Sequence, residues 1–373
     1  MTKLEESGSK LLTKASAEME TPIAGGVNRT NSDGRPSEPT GVFSTAYAKV
    51  SRLPWLMYGI YLLAFGALLY FSGVALSVPR YMLGLEDQLR PVAEWLVWYS
   101  GTPIFLGLAF MLADVLLFFE SKRAPRFYRD DPIDNAKVTV ALTAYNDEDS
   151  IGDAVKDFLV HPRVSRVIVV SNNSSDQTFN CAKVSGALTF NETQPGYGRC
   201  VYRCYQEALK FDDTDLIVLC EGDRTFRAAD IDKLVSFSPH ADIVNGTRIV
   251  ELLRARNTQL TTFMFYGNLF VAKLLEAKHL GRSTLTDVGS TYKLVRRDAL
   301  TRLMSALDPS VNLEFNAHFM DTALANGFSL IECPITFHRR VGVSKGGNTD
   351  NGRAFNVGLG MIKGVTFGWK GAQ

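Results

Sequence analysis

The stretch Asp215-Leu216-Ile217-Val218-Leu219-Cys220-Glu221-Gly222-Asp223-Arg224-Thr225-Phe226 reads as a buried strand running into a loop that carries two acids. The unbroken apolar run from Leu216 to Cys220 has the length and composition of a strand covered on both faces. Outward from it, residues 138–142, 164–170, 188–190 and 243–244 have the same character and read as further strands. Between the first two, Ile151, Val155, Phe158 and Leu159 recur at helical spacing, with Asp147 and Asp149 placed to cap the helix start. Residues 199–210 and 229–237 read as helices as well. Strands alternating with helices imply crossover connections and a mostly parallel sheet, hence an α/β fold. Such sheets bind ligands outside the carboxyl ends of their strands, so the chemistry is expected in the loops there.

Glu221 and Asp223, separated by a glycine that lets backbone approach, suit a hard divalent cation shared with a diphosphate, because such ions take oxygen ligands and keep substrate in their shell. Acid-X-acid triplets are common on surface loops, but this one emerges directly from a buried strand, which favours a site over a solvated turn. The loop after the first strand, Thr143-Ala144-Tyr145-Asn146-Asp147-Glu148, and that after the second, Ser171-Asn172-Asn173-Ser174-Ser175-Asp176, would lie side by side. Tyr145, Asp147, Asn172 and Asp176 offer them an aromatic face, an amide and carboxylates for a nucleobase and ribose. Helix capping is the plainer use of the same residue types. Gln194-Pro195-Gly196-Tyr197-Gly198-Arg199 leads into a helix and is either an anion site at its N-terminus or an ordinary tight turn.

Ahead of these strands lie two apolar stretches, residues 53–76 and 95–119, each longer than the roughly 20 helical residues that cross a hydrocarbon core. Lys49 and Arg52 precede the pair and Lys122, Arg123, Arg126 and Arg129 follow it, whereas the connection carries only Arg80 and Arg90, offset by Glu86 and Asp87. The asymmetry predicts a transmembrane hairpin with both termini and the catalytic part on the cytosolic face. Asp114 within the second stretch would cost about 2.5–3.5 kcal/mol at mid-bilayer, so it is expected near an interface or against protein, in a structural role. Residues 1–51 read as a disordered cytosolic tail and residues 121–136 as a basic linker. Apolar runs within 261–275 and 356–369 are too short to span a bilayer and read equally as interfacial or core helices. A net charge of +1 gives no reason to expect nucleic acid as a partner, and five cysteines without paired CxxC spacing fit reduced thiols. Oligomerisation is left open.

In their order along residues 137–345 the motifs resemble the family 2 glycosyltransferases, most closely the branch of dolichyl- and polyprenyl-phosphate mannose and glucose synthases. Tyr145-Asn146-Asp147 is similar to the loop that ends that family's opening strand. Ser171 through Asp176 is similar to its second acidic loop, with Ser171 and Asn172 where the family carries acids. Glu221-Gly222-Asp223 resembles its metal-binding triplet, and Thr286-Asp287-Val288-Gly289-Ser290-Thr291-Tyr292-Lys293-Leu294 its later motif. Arg340-Val341-Gly342-Val343-Ser344-Lys345 resembles its closing pattern. The resemblance implies a GT-A-like, Rossmann-like domain over residues 137–345, a UDP- or GDP-linked sugar donor, a polyprenyl phosphate acceptor, and inversion at the transferred sugar. It implies Mg²⁺ or Mn²⁺ on Glu221 and Asp223, and catalytic roles for Asp223, Asp287, Arg340 and Lys345. Tyr145, Asp147, Asn172, Asp176 and Glu221 would surround the nucleotide. Arg248, Arg339, Arg340 and Lys345 would clamp phosphate oxygens, which guanidinium groups grip bidentately. A phosphate acceptor is already ionised at neutral pH, so Asp287 would position groups, whereas for a hydroxyl acceptor on a glycolipid or glycan it would be the base. A non-catalytic scaffold that merely binds sugar nucleotides is the rival from another class. Residues 346–373 form a C-terminal segment whose apolar run, as above, reads equally as membrane-interfacial or as core.

Overall fold

The computed structural model describes residues 47, 50–51, 53–122, 129–342 and 350–369. The predicted tail, much of the basic linker and Lys345 therefore lie outside the described residues. The chain divides into Met1–Arg52 and Leu53–Gln373, and the elements below belong to the second unit.

Helices α1 (Trp55–Ala75) and α3 (Glu86–Leu117), joined by the short α2 (Ser77–Met82), are the predicted apolar pair, and both are long and apolar enough to cross a membrane. Gly59, Gly66 and Gly73 recur at heptad spacing on α1 and meet Gly107, Ser100 and Ala93 in turn, which makes the two helices antiparallel. A Cβ on Gly59 would lie 2.6 Å from the Gly107 carbonyl oxygen, and one on Gly66 would lie 2.9 Å from that of Ser100. In an apolar medium, small residues that admit this approach supply the packing that holds helices together. The second helix begins at Glu86 rather than near residue 95. Glu86 and Asp87 sit in its first turn, where carboxylates complement the helix dipole. Asp114 is fully buried against protein, as its cost in lipid demands: Oδ2 accepts from the Leu56 amide at 2.8 Å and Oδ1 from Lys122 Nζ at 2.6 Å. Lys122 closes α4 (Phe119–Lys122) and also donates to the Leu53 carbonyl at 2.7 Å. One buried acid thus ties together the adjacent ends of both helices.

The rest of the chain runs β1 (Val138–Ala144), α5 (Glu148–Leu159), β2 (Val164–Ser171), α6 (Thr178–Val184), β3 (Leu188–Asn191), α7 (Tyr197–Leu209), β4 (Leu216–Glu221), α8 (Ile231–Phe237) and β5 (Ile243–Thr247). It continues through α9 (Thr262–Lys278), β6 (Lys293–Arg296), α10 (Arg297–Leu303), α11 (Phe315–Ala325), β7 (Leu330–Pro334) and α12 (Asn351–Phe367). The seven-stranded sheet has the order β3-β2-β1-β4-β6-β5-β7. Pairing is parallel except at β6, which opposes both its neighbours β4 and β5, so the sheet is mixed but mostly parallel. Every predicted strand is present; β6 and β7 are additional.

Side chains alternate across the sheet into two cores. Ala141, Ile168 and Leu219 face Val201 and Tyr205 of α7 and Phe315 and Phe319 of α11. Val140, Leu142 and Val218 face Ile151, Val155 and Phe158 of α5. With both faces covered, neither β1 nor β4 has a solvent side, which is why each reads as an apolar run rather than an alternation.

Candidate active site

The chain steps outward from β1 through β2 to β3, then returns to place β4 on the other flank of β1. The strand order therefore reverses between β1 and β4, and a crevice opens at the carboxyl ends of such a pair. There the Gly222 amide donates to the Thr143 carbonyl at 3.0 Å, and Ser150 Oγ donates to the Gly222 carbonyl at 3.0 Å. A Cβ on Gly222 would come within 2.4 Å of Ile151 Cδ1, so a larger residue between the two acids would make the Ile151 side chain shift.

Arg340 lies across this crevice. Its Nη1 donates to Asp223 Oδ2 and its Nη2 to Asp147 Oδ1, both at 2.8 Å. The segment after β7 delivers it, since the His338 amide donates to the Thr225 carbonyl at 2.9 Å and the Val341 amide to the Asp223 carbonyl at 3.1 Å. Asp223 is buried, and its Oδ1 accepts from the Thr225 amide at 3.0 Å and from Thr225 Oγ1 at 2.5 Å. Burial and the neighbouring Glu221 charge push its carboxyl up to about 7 against the pull of Arg340. Asp147 accepts from the Tyr145 amide at 3.0 Å and does not cap α5 with its side chain, contrary to the expectation from sequence. Glu221 Oε1 accepts from Thr291 Oγ1 at 2.7 Å.

This donor set fits a divalent cation. Glu221 and Asp223 offer carboxylate oxygens close enough to repel one another, and a cation relieves that repulsion. Among the described residues no group of three or more His, Cys, Asp or Glu side chains is assembled, so a cation on these two would complete its shell with diphosphate oxygens and water.

Arg248 and Asp287 pair with each other, a contact the sequence reading did not foresee. The Arg248 guanidinium is buried and donates from Nε to Asp287 Oδ2 and from Nη2 to Oδ1, both at 2.7 Å. Asp287 also accepts from the amides of Arg248 at 3.0 Å and Gly289 at 3.1 Å. Burial opposes its ionisation, but the Arg248 charge outweighs burial and holds the Asp287 carboxyl below the usual carboxylate range. A carboxylate so engaged is a poor base. Glu332 of β7 fixes this turn from below, accepting from the Thr286 amide at 2.8 Å, the Asp287 amide at 3.1 Å and Asn245 Nδ2 at 3.1 Å.

The first two loops do lie side by side: the Asn146 amide donates to Ser174 Oγ at 3.0 Å and the Ser175 amide to Asn146 Oδ1 at 2.8 Å. Tyr145 is 48% exposed there. Asn172 donates to the Gln194 carbonyl at 2.9 Å and accepts from the Gly196 amide at 3.1 Å, so it ties down the following loop. Asp176 Oδ1 accepts from the Thr178 amide at 3.0 Å and from Thr178 Oγ1 at 2.5 Å, and its Oδ2 accepts from the Glu148 amide of the first loop at 3.3 Å. At the start of α7 the Tyr197 amide donates to Asn312 Oδ1 at 2.7 Å, so an asparagine braces this turn. Arg339 is exposed. Behind the crevice lie Lys293 and Tyr197, to which the sequence reading gave no individual role within their motifs, and Asn316, which it did not single out. Lys293 is fully buried, and burial brings its amine down to about 7.

No family model matches the chain. Over 206 residues it is 34% identical to a glycosyltransferase of Mycobacterium tuberculosis (strain H37Rv) whose own activity is uncharacterized, a match spanning 55% of this chain and 87% of the relative. It is 23% identical over 209 residues to the dolichyl-phosphate hexose transferase of Haloferax volcanii, covering 56% of this chain and 86% of that one. The solved glucosyl-3-phosphoglycerate synthase of M. tuberculosis, in complex with Mn²⁺, UDP and phosphoglyceric acid, aligns with a TM-score of 0.46 and 18% identity over 67% of this chain and 81% of its own. With 34% identity along 87% of the mycobacterial relative, the chain belongs to the glycosyltransferases.

Proposed function

We propose that this glycosyltransferase is a family 2, GT-A-type enzyme that moves one sugar from a UDP- or GDP-linked donor to a polyprenyl phosphate at the cytosolic surface of a membrane. The observation that carries the reading is the meeting of Asp147, Asp223 and Arg340 where the strand order reverses. Three segments that are far apart in sequence supply one crevice with the charges that handling a diphosphate requires. Arg340 fixes the spacing of the first loop and the acidic loop. The exposed Tyr145 ring offers a stacking surface for the base, and Arg339 and Lys345 supply further cations for phosphate. Mg²⁺ or Mn²⁺ on Glu221 and Asp223 would neutralise the leaving diphosphate. Asp287 orients Arg248 and the turn around it, and leaves no role as base. That absence suits a phosphate acceptor, whose attacking oxygen is already ionised.

The membrane part of the reading rests on how the hairpin meets the C-terminal helix. Tyr61 Oη and Thr366 Oγ1 are 2.9 Å apart, and Tyr58 Oη donates to the Thr366 carbonyl at 3.3 Å. Tyr61 lies about 9 Å along α1 from Trp55 at the helical rise per residue, so the end of α12 sits at a depth already within the proposed span. Phe355 and Phe367 on α12, with Phe263, Tyr266 and Phe270 on α9, are exposed and apolar. A face of this kind beds into the boundary of headgroups and acyl chains and would bring the crevice to a lipid acceptor. The similarity to a dolichyl-phosphate hexose transferase supports the same acceptor class.

The test is incubation of membranes containing the protein with a panel of labelled UDP- and GDP-sugars, followed by lipid extraction and identification of the product. The expected result is one sugar on a polyprenyl phosphate. Label found only on a glycan or glycolipid hydroxyl, or no transfer from any donor, would overturn the proposal.

A further inference from the structure

Behind Glu221 the hydrogen bonds run in one direction. Lys293 Nζ of β6 donates to Asn316 Oδ1 of α11 at 3.1 Å, and Asn316 Nδ2 donates to Tyr197 Oη of α7 at 3.2 Å. Tyr197 Oη and Thr291 Oγ1 are 3.0 Å apart, and Thr291 Oγ1 donates to Glu221 Oε1 at 2.7 Å. Proton counting fixes the one ambiguous link. An ionised carboxylate only accepts, so Thr291 gives its single hydroxyl proton to Glu221, and Tyr197 must then donate to Thr291. Asn316 reads the same way, with its oxygen taking the amine proton and its nitrogen giving one to Tyr197. Lys293 is further anchored by donating to the Ser290 carbonyl.

We infer that this chain, from Lys293 through Asn316, Tyr197 and Thr291, is a positioning relay that orients Glu221 for a divalent cation. Every donor in it points toward the carboxylate, so each bond polarises the next in the same sense. Lys293 and Thr291 are buried, the chain joins two helices and two strands, and β6 and α11 carry half of its members. A carboxylate on a solvent-facing loop would swing among rotamers. One oxygen of Glu221 is instead held at the end of a braced chain, as second-layer partners hold metal ligands elsewhere. The inference rests on the reading of Glu221 as a cation ligand, and the experiment separates the two.

The full chain in detergent micelles is titrated with Mn²⁺ alone, and bound ion is read from loss of the free-ion electron paramagnetic resonance signal. Tyr197→Phe removes one hydroxyl from the relay and keeps the ring. It is expected to weaken Mn²⁺ binding about 10- to 100-fold, the range for losing an outer partner of a metal ligand, with thermal melting close to that of the wild type. Thr291→Val is a second break at a different residue and is expected to do the same. Thr291→Ser, which keeps the hydroxyl, restores wild-type affinity. If Tyr197→Phe and Thr291→Val both bind Mn²⁺ as the wild type does while Glu221→Gln has lost it, the relay is overturned and the metal reading stands. If Glu221→Gln binds as tightly as the wild type, the metal reading falls and the relay with it.

Discussion

Arg248 and Asp287 form a buried bidentate pair, with Nε and Nη2 each 2.7 Å from a different carboxylate oxygen. Removing one partner leaves the other charge without compensation in the interior, a loss of about 3–5 kcal/mol. Asp287→Ala is therefore expected to lower the denaturation midpoint far more than an exposed substitution such as Asp212→Ala. The pH dependence has a definite sign. Arg248 depresses the folded-state pKa of Asp287, so its contribution is complete above the unfolded-state value and is lost only as acid drives the pH down through the folded value. Chemical denaturation at a series of pH values should show the gap between wild type and Asp287→Asn constant at neutral pH and closing only in acid. A gap that closes near neutrality would refute the assignment.

Asp223 is expected to be indispensable to transfer without being indispensable to folding. Thr225 donates to it locally and Arg340 meets it from the far loop, so Asp223→Asn keeps the volume and changes the charge. Transfer should fall at least about 10²- to 10³-fold, the scale for removing one stabilising group from a charged transition state. Circular dichroism should be unchanged. Chelation should silence the wild type and added Mn²⁺ restore it. Transfer that persists in the variant under chelation would refute cation dependence.

The fold is legible in the sequence wherever burial is two-sided. The strands β1, β2 and β4 announce themselves as apolar runs, and parallel crossovers between them bring the loops that follow β1 and β2 to the same edge of the sheet. The strand β6 is hidden because only Leu294 and Val295 are apolar between Lys293 and Arg296, and burying those two cations takes partners distant in sequence. The strand β7 is hidden because Glu332 breaks its run and Pro334 ends it, a pattern that an edge strand tolerates. In the site, Glu221, Asp223, Asp147 and Arg340 are legible as charges at strand ends. What they bond to is not, because the partner of Arg248 lies 39 positions away and that of Asp147 lies 193 away. Long-range pairing leaves no local pattern, so Arg248 reads as a phosphate clamp and Asp287 as a positioning group or, for a hydroxyl acceptor, a base, with nothing to show that the two meet.

The heptad of glycines makes a prediction about the hairpin with an internal control. A Cβ on Gly66 would lie 2.6 Å from Ile104 Cγ1 and 2.9 Å from the Ser100 carbonyl oxygen, whereas one on Gly101 would meet nothing within 4 Å. Gly66→Leu should cost about 1–3 kcal/mol through overpacking. Gly101→Leu should leave the thermal midpoint in detergent at or above that of the wild type, because alanine-like side chains favour the helix over glycine. Equal effects at the two positions would mean that α1 and α3 do not pack through the glycine face.

The exposed rings on α9 and α12 give the last prediction, and it separates a membrane-bedded face from an ordinary surface. Phe263 is 45% exposed and Phe355 is 53% exposed, and their ring centroids are 6.5 Å apart across the two helices. In water both would be liabilities, since fully burying one such side chain is worth about 1.5–3 kcal/mol. At a lipid boundary the same rings favour the bound state. Replacing both with Ser should therefore raise the apparent KM for a polyprenyl phosphate acceptor in vesicles about tenfold, equivalent to roughly 1.4 kcal/mol. The KM for the nucleotide sugar, whose crevice lies at β1 and β4, should stay where it is. Thermal stability in detergent should hold or rise, because neither ring is enclosed by protein. A parallel rise in both KM values, or no change in either, would show that these helices do not present the acceptor and that the lipid reaches the crevice by another face.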